Sequence, residues 1–423
     1  MLQVSYIRDN REQVLERLAV KNFKQPQLVD EIVQLDDKRR QTQTSLDNVS
    51  AEANSAAKQI GELMRTGKKD EAEIIKSKTA AWREDIKQLG EQLTAIEGEL
   101  QQKLVLLPNL PHSSVPKGLT PEDNDIMLES GVKPTLPANA LPHWELAAKY
   151  NLIDFELGVK ITGAGFPVYK GKGAKLQRAL ISFFLDEAEK VGYDEVMVPL
   201  MVNEASGFGT GQLPDKEGQM YFVGADNLYL IPTAEVPITN MYRDVILRAD
   251  ELPVKNCGYT ACFRREAGSY GAHVRGLNRL HQFDKVELVQ VVHPDQSYDV
   301  IEQMSAHVQG LLKKLALPYR VLRLCGGDMS FASALTYDME TWSAAQQRWL
   351  EVSSVSNFET FQSYRLKLRF RNAEGKTQLA HTLNGSALAL PRIVATLLEN
   401  NQTETGIKIP EVLVPYTKFE WIS

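Results

Sequence analysis

The chain is 423 residues long, 43% hydrophobic and 24% charged, which predicts a folded protein of two or three domains. No apolar run approaches the roughly eighteen residues of a membrane helix, and charges stand where a signal peptide needs an apolar core, so we expect a cytoplasmic protein. The formal net charge of −6 disfavours nonspecific wrapping of nucleic acid, although it is compatible with a local basic stripe. Three cysteines, none in a Cys-x-x-Cys frame, predict neither a disulfide framework nor a structural zinc site.

The clearest pattern lies between residues 27 and 107, where apolar residues recur in alternating steps of three and four. The turn-like stretch Thr66–Asp70 interrupts this pattern, and Pro108 and Pro111 end it. Two such runs joined by a turn predict an antiparallel helical hairpin, roughly 55 Å long at 1.5 Å per residue. The stepping positions are Leu28, Ile32, Leu35, Thr42, Leu46, Val49, Ala53, Ala56 and Ile60, then Ala72, Ile75, Thr79, Trp82, Ile86, Leu89, Leu93, Ile96, Leu100 and Leu107.

The predicted hairpin is too thin to enclose a small-molecule pocket, so it is expected to be a strut or a binding arm. Its basic residues have two interpretations: they contact the phosphates of a nucleic acid, or they form an ordinary solvated coiled-coil face. These residues are Arg39, Arg40, Lys68, Lys69, Lys76 and Lys78.

The rest of the chain has a different pattern. We assign 1–107 to the arm, the proline-rich stretch 108–145 to a linker, and 146–423 to a catalytic domain. In that domain, predicted helices at 172–191, 296–315 and 385–400 alternate irregularly with predicted strands at 195–201, 227–231, 284–293, 319–324 and 364–371. This spacing favours an α+β fold with a mainly antiparallel sheet flanked by helices.

Familiar nucleotide-binding loops are incomplete in this sequence. Gly163–Pro167 lacks the third glycine of a dinucleotide fingerprint, and Gly171–Gly173 lacks both the Walker glycine spacing and the following Ser or Thr. If the protein uses ATP, arginines on a sheet must hold the phosphates.

Three segments are suited to that task. Phe263–Glu287 predicts two strands around a polar loop, with Phe283, Lys285 and Glu287 on one sheet face and Arg264 and Glu266 sharing the alternation on the partner strand. Glu351–Ser354 is a short polar strand, and in Asn384–Arg392 a strand passes into a helix with an arginine one turn in.

Taken together, these segments resemble the signature motifs of class II aminoacyl-tRNA synthetases, and specifically those of bacterial-type seryl-tRNA synthetases. Gly192–Pro199 is similar to motif 1, Phe263–Glu287 to motif 2 and Leu383–Arg392 to motif 3. Thr210–Pro214 and Ile231–Pro237 are also similar to seryl enzymes, and the helical hairpin completes the family pattern over essentially the whole chain. The resemblance implies a homodimer with motif 1 at its interface and an arm that binds the long variable arm of tRNA-Ser.

The reaction implied by the resemblance is activation of L-serine with ATP, followed by transfer of serine to the tRNA 3′ end; charging of a selenocysteine tRNA stays open. Arg264 and Arg392 are the implied catalytic residues, which hold phosphates and, for Arg264, the serine carboxylate. Glu266 and Phe283 are implied to bind adenine, and Glu351 and Ser354 to coordinate Mg²⁺ with ATP. The whole implied ATP-binding set is Arg264, Arg265, Glu266, Arg279, Phe283, Glu351, Val352, Ser353, Ser354 and Arg392.

For serine, the resemblance implies an ammonium partner, Glu235, with Thr233 beside it, and a hydroxyl pocket. The implied serine-binding set is Thr233, Ala234, Glu235, Glu287, Asn384 and Ser386. The motif 2 loop differs from many relatives at Tyr270 and His273, and His273 is interpreted either as a phosphate contact or as a solvated loop residue.

Three alternatives are disfavoured by the sequence, since the arm and all three motif residues are present and no Cys/His ligand set stands out. A carrier-protein ligase of the same family would lack the long arm, and a non-catalytic relative would have lost Arg264, Glu287 or Arg392. A zinc-dependent seryl enzyme would need a Cys/His ligand set, and no zinc is expected here.

Overall fold

The computed structural model describes residues 1–215, 217–266, 271 and 274–423, which form two compact units. Met1–Ala19 and Phe23–Pro108 form the first unit, and Val20–Asn22 and Asn109–Ser423 form the second. The first unit contains helices α1 (Val4–Asp9), α3 (Gln27–Arg65) and α4 (Lys69–Leu104), and all of α2 (Arg11–Val20) except its last residue.

Helices α3 and α4 form the predicted hairpin, with the reversal at Thr66–Lys68. Gly67 has φ +80° in that turn, a conformation that favours glycine. Every predicted seam position in the two helices is buried or half-buried. The period of three and four therefore placed both helices and their contact face correctly.

Arg39, which stands in the seam where an apolar residue is missing, forms a polar contact there. Its Nη2 pairs at 2.8 Å with Oδ1 of Asp36, a buried carboxylate that also accepts from Arg8 Nη1 at 2.7 Å. This pairing explains how a charged residue is tolerated at a seam position. It also occupies one of the arginines proposed for nucleic-acid contact.

The second unit is built on a large, mainly antiparallel sheet, which confirms the predicted fold class. Its helices are α5 (His143–Lys149), α6 (Phe155–Ile161), α7 (Gly171–Glu189), α8 (Glu204–Thr210), α9 (Glu235–Asn240), α10 (Ser297–Lys314), α11 (Thr360–Leu366), α12 (Leu390–Asn400) and α13 (Val414–Thr417). Its first strands are β1 (Asp125–Ser130), β2 (Ile153–Asp154), β3 (Val168–Tyr169), β4 (Asp194–Glu195), β5 (Met201–Val202), β6 (Phe222–Val223), β7 (Leu228–Leu230), β8 (Ile246–Arg248) and β9 (Val254–Phe263). The remaining strands are β10 (Gln282–Val292), β11 (Tyr319–Arg323), β12 (Leu335–Ser343), β13 (Arg348–Glu359), β14 (Arg369–Arg371), β15 (Thr377–Leu379), β16 (His381–Ala389), β17 (Ile407–Lys408) and β18 (Trp421–Ile422).

Within the described ranges, the large sheet runs in the order β1-β11-β12-β13-β16-β10-β9-β4, antiparallel except for the β4–β9 pair. Helices α7, α10 and α12 lie against it, and their apolar residues share one core with the sheet. Phe184, Ile301 and Ile393 are wholly buried there. The adjacent strands β9, β10, β16 and β13 form the centre of the sheet that carries the candidate site.

Several predicted elements differ from the structure. The expected strand at 195–201 is reduced to β4 and β5, the expected strand at 364–371 is α11 followed by β14, and the helix expected at 385–400 begins only at Leu390. The segment 108–145, interpreted as a linker, contributes β1, which pairs with β11. None of the helices in the described parts of the chain combines the length and the apolar composition that a membrane span requires.

Candidate active site

The centre of the candidate site is the hairpin of β9 and β10, which pairs Gln282 with Phe263 and Val291 with Val254. The predicted hairpin is confirmed, and in β10 the alternation places Phe283, Lys285 and Glu287 on one face. The expected alternation on the partner strand is wrong, because β9 ends at Phe263 and Glu266 has φ +47°. Arg264 and Glu266 therefore lie in the loop beyond the strand.

Four side chains that we call the carboxylate cluster, Thr233, Glu235, Lys285 and Glu287, are buried beside this strand. Lys285 Nζ pairs with the Glu287 carboxylate and donates to Thr233 Oγ1 at 2.9 Å. Thr233 Oγ1 in turn donates to Glu287 Oε2 at 2.9 Å. The one cation and two carboxylates leave a net negative pocket, which suits a small ligand with a positive charge.

Glu235 is the carboxylate of the cluster that has no cation in direct contact among the described residues. Burial and the nearby Glu287 carboxylate together raise the pKa of Glu235 to about 7, although hydrogen bonds from Gln362 and Asn384 and the charge of Lys285 act in the opposite direction. Gln362 Nε2 donates to Glu235 Oε1 at 2.6 Å. An arriving ammonium group would therefore stabilise the ionised form of Glu235.

Arg264 lies at the edge of the carboxylate cluster. Its Nε donates to the carbonyl of Pro232 at 3.3 Å, one residue before Thr233, and its guanidinium carbon lies 5.2 Å from the centre of the Phe283 ring. The amide of Phe263 donates to Ile231 O at 2.8 Å, so the end of β9 runs beside the segment that leads into α9. These contacts bring a planar cation, an aromatic ring and the buried carboxylates together.

Arg392, in the first turn of α12, joins the other predicted segments. Its Nη1 donates to the Glu351 carbonyl at 2.7 Å and lies 3.6 Å from Glu351 Oε2, while its Nε donates to Asn278 O at 3.1 Å. The predicted motif 2 and motif 3 segments and β13 therefore meet at one arginine. A guanidinium at this junction has the planar geometry that phosphate groups bind in a bidentate manner.

A β-bulge determines which side chains of β13 share a face. Glu340 pairs with Glu351, but its neighbour Met339 pairs with Ser353, so the alternation shifts by one residue at Val352. Glu351 and Ser354 consequently lie on the same face, with Asp338 opposite Ser354. Asp338 Oδ1 is buried and lacks a hydrogen-bond partner among the described residues, so the face offers oxygen ligands that suit a hard cation.

Other predicted ATP-binding residues take different positions. Val352 packs into the core, and Ser353 Oγ donates to the Ser386 carbonyl at 2.6 Å, so their side chains are directed into the protein. Glu266 Oε2 pairs with Arg279 Nη1 at 2.9 Å, and Arg265 is exposed. Tyr270 and His273 lie outside the described residues.

The remaining predicted serine-binding residues lie on β16 and in the turn before α9. Ser386 pairs with Glu287 across the β10–β16 ladder, and Asn384 is also buried. Ala234 packs against Ile238 and Val289 in an apolar cluster, so only its backbone is available to a ligand. Of the six predicted serine-binding residues, the structure thus brings the side chains of five into one region: Thr233, Glu235, Glu287, Asn384 and Ser386. The Ala234 side chain lies elsewhere.

Sequence reasoning missed a buried histidine that supports the motif 2 segment. His143 Nδ1 hydrogen-bonds to Glu399 Oε1 at 2.7 Å, and its Nε2 accepts from the Leu277 amide at 2.8 Å. Since Nε2 accepts, Nδ1 carries the proton and donates to Glu399. Gly276 has φ +69°, and a Cβ there would lie 2.2 Å from His143 Nε2, so both its conformation and the space around it favour glycine.

Comparisons with known proteins agree with this geometry. Residues 1–111 match the family model "Seryl-tRNA synthetase N-terminal domain", and residues 221–401 match "tRNA synthetase class II core domain (G, H, P, S and T)". A serine–tRNA ligase of Salinibacter ruber is 52% identical over 99% of this chain and 98% of the relative, and one of Chlorobaculum parvum is 45% identical over the full length of both.

Solved structures give the same result. The crystal structure of seryl-tRNA synthetase from Pyrococcus horikoshii complexed with ATP superposes with a TM-score of 0.94 at 32% identity, covering 100% of this chain and 99% of that one. The cytoplasmic serine–tRNA ligase of Naegleria fowleri in complex with AMP superposes with a TM-score of 0.89 at 25% identity and the same coverage.

Proposed function

The chain belongs to the family of seryl-tRNA synthetases, ATP-dependent ligases with a class II catalytic domain, and we propose that it activates L-serine and transfers it to tRNA-Ser. The observation that carries this proposal is the carboxylate cluster next to Arg264 and Phe283, which offers a pocket for an amino acid beside a site for a nucleotide. We also propose that it acts in the cytoplasm as a homodimer and that its α3–α4 arm binds the tRNA.

In the first step, a carboxylate oxygen of serine attacks the α-phosphorus of ATP. The bond to the bridging oxygen breaks, and pyrophosphate leaves with its electron pair. Because the nucleophile is already an anion, the site needs to position the reactants and stabilise charge, and no general base is required. Arg264 holds the serine carboxylate and the α-phosphate, which a planar guanidinium contacts with two parallel hydrogen bonds.

The other end of ATP is assigned to Arg392, and adenine is assigned to the Phe283 ring and Glu266. In the second step a ribose hydroxyl at the tRNA 3′ end attacks the acyl carbon, and AMP is the leaving group. Mg²⁺, which ATP-dependent chemistry implies, fits Glu351 and Ser354, with Asp338 on the same face. Bound there, the ion would compensate the negative charge of the phosphates.

Two polar groups of serine are recognised, the ammonium group and the side-chain hydroxyl. Glu235 receives the ammonium group, and Glu287 with Ser386 and Thr233 binds the hydroxyl. Glu287 is held in place by Lys285 and Thr233, so its orientation is set before the substrate arrives. A prearranged polar pocket of this kind selects strongly against ligands that leave its groups unpaired.

We expect alanine to be rejected more strongly than threonine. Alanine would leave the hydroxyl partners buried and unpaired, which such sites penalise by about 10⁴-fold or more, whereas the extra methyl of threonine is excluded only by fit, worth about 1–3 kcal/mol. The measurement is kcat/KM for ATP–pyrophosphate exchange with each amino acid. If alanine were used better than threonine, the assignment of Glu287 and Ser386 to the hydroxyl would be wrong.

The KM for serine is expected to fall as pH rises through about 7. Burial raises the pKa of Glu235 to about 7, so the carboxyl is mostly neutral below that pH and mostly ionised above it. Only the ionised form attracts the ammonium group, which predicts an about tenfold higher KM at pH 6 than at pH 8. In Glu235→Gln, KM for serine should be higher at every pH, and the step near pH 7 should be absent; a step of unchanged size would assign the titration to another group.

The first experiment is serine-dependent ATP–pyrophosphate exchange without tRNA, with alanine, threonine, glycine and proline in parallel. Exchange with serine above all others supports the proposed activation step, and aminoacylation of tRNA-Ser then tests the transfer. A folded protein that gives no exchange with any of the five amino acids in the presence of Mg²⁺ would contradict the proposal and favour a non-catalytic relative.

A further inference from the structure

Gln362, in α11, is a residue with only 1% of its surface exposed, and its side-chain amide contacts Glu235 of the carboxylate cluster. Its Nε2 donates to Glu235 Oε1 at 2.6 Å and to the Thr210 carbonyl at 3.1 Å. Its Oε1 accepts from Thr382 Oγ1 at 2.7 Å. The amide thus joins three elements, the start of α9, the end of α8 and strand β16.

The orientation of this amide follows from its partners. The Thr210 carbonyl and the ionised Glu235 carboxylate only accept hydrogen bonds, so the nitrogen must face both of them. The oxygen then faces Thr382, whose hydroxyl donates. Both N–H groups of the amide are occupied, and a flipped amide would place its oxygen against two acceptors.

Glu235 needs such a fixed donor because of its neighbours. The Glu287 carboxylate raises the pKa of Glu235 more than Lys285 lowers it, and two nearby carboxyl groups tend to share a proton. Lys285, the cation of the cluster, is paired with Glu287 and with Thr233. The donor from Gln362 favours the ionised form of Glu235 and fixes its Oε1, and Asn384 supplies a further hydrogen bond to the same carboxylate.

Helix α11 holds the same turn through a second residue. Arg365 Nη1 donates to the carbonyls of Phe208 and Leu213, each at 3.1 Å. Gln362 and Arg365 together fix the turn that follows α8, and only Gln362 also reaches the carboxylate cluster. Its contact with Glu235 is therefore separable from the packing role of the helix.

We propose that Gln362 is a positioning residue for serine recognition, which sets the orientation of Glu235 so that this carboxylate receives the substrate ammonium group. This inference rests on the proposed function, because it assigns the Glu235 pocket to the ammonium of serine. It predicts that loss of the amide weakens the use of serine specifically and leaves ATP binding unaffected.

The test is steady-state ATP–pyrophosphate exchange by the full chain carrying Gln362→Leu. A hydrogen bond to a charged group contributes enough to predict an increase in serine KM of about 10- to 100-fold, with kcat and the KM for ATP within about twofold of wild type. In the Glu235→Gln background the same change should add much less, because the two residues act as a unit. An unchanged serine KM, or full additivity in that background, would overturn the inference.

Gln402→Leu is the matched control. Gln402 is also buried, and its Nε2 donates to the carbonyls of Leu141 and Glu399 without contacting the carboxylate cluster. Both variants should lower thermal stability, but only Gln362→Leu should raise the serine KM. An equal rise in both would reduce Gln362 to a purely structural role.

A second variant covers the case in which Gln362→Leu does not fold. Thr382→Val removes the donor to Gln362 Oε1 and should raise the serine KM by about 3- to 10-fold, the effect of one neutral hydrogen bond, whereas Thr382→Ser should restore it. Equal serine KM values for the two Thr382 variants would count against the inference. Wild-type exchange tests the proposed function separately: serine-dependent exchange that is insensitive to these changes refutes only the role of Gln362, and its absence in the wild type refutes both.

Discussion

Arg264→Lys is expected to reduce kcat for serine-dependent exchange by about 10²- to 10³-fold, the loss seen when one charge-stabilising donor is removed from a transition state. Lysine keeps the positive charge but loses the planar fork that contacts the carboxylate and the phosphate together. It also loses the Nε donor to Pro232 O, which holds the side chain beside the carboxylate cluster. The measurement is kcat at saturating serine and ATP, where weaker ground-state binding no longer contributes.

Arg369→Lys is the control for this prediction. Arg369 also donates from Nε to a backbone carbonyl, that of Lys367 at 3.2 Å, but it lies on β14 in a separate small sheet. This substitution should leave kcat unchanged within about twofold, as is usual for surface changes away from a site. If Arg264→Lys retained wild-type kcat and stability, the α-phosphate and carboxylate would have to be held by another residue.

Secondary structure was predicted best from the sequence where one local hydrophobic period determines it. The helical hairpin follows from apolar residues at steps of three and four, since each such residue must face the partner helix. Strand β10 follows from an equally local alternation, which also placed Lys285 and Glu287 on one face. Lys285 was therefore visible in the pattern, although the resemblance to synthetases directed attention to its neighbours.

The prediction of secondary structure failed where an element is buried on several sides and its sequence therefore has no periodic pattern. Residues 364–371 were expected to be a strand, but Phe361, Gln362, Ser363, Arg365 and Leu366 are all buried in α11. With almost every side of this short helix covered, its sequence shows no amphipathic period that would indicate a helix. The role of Gln362 could not be predicted from the sequence either, because its partner Glu235 is 127 positions away along the chain.

The bulge at Val352 shows a different limit. Residues three apart on a regular strand face opposite sides, so Glu351 and Ser354 would be separated by simple alternation. The resemblance nevertheless implied a common cation for both, and the shifted register of β12 and β13 places them on one face. A single extra residue in the ladder is thus what makes the proposed Mg²⁺ ligand pair geometrically possible.

The pair of Lys285 and Glu287 is expected to show the largest effect on stability. Both side chains are buried, with 8% and 2% of their surface exposed, and each is the principal charge partner of the other. Lys285→Met leaves two buried carboxylates without a cation, and Glu287→Leu leaves a buried ammonium whose remaining direct contact is Thr233. Removing one member of such a pair destabilises a protein by about 3–5 kcal/mol, because the remaining charge stays desolvated.

The double variant Lys285→Met/Glu287→Leu is expected to recover much of this loss. With both charges gone, the desolvation penalty disappears and two apolar side chains of similar length occupy the space. The thermal unfolding midpoint should therefore fall steeply in each single variant and less in the double variant. Serine-dependent exchange should stay abolished in all three variants, because the partner of the serine hydroxyl is missing or misplaced. A double variant less stable than either single one would show that the pair stabilises the fold beyond the cost of its burial, so the cluster would be a structural element as well as a serine pocket.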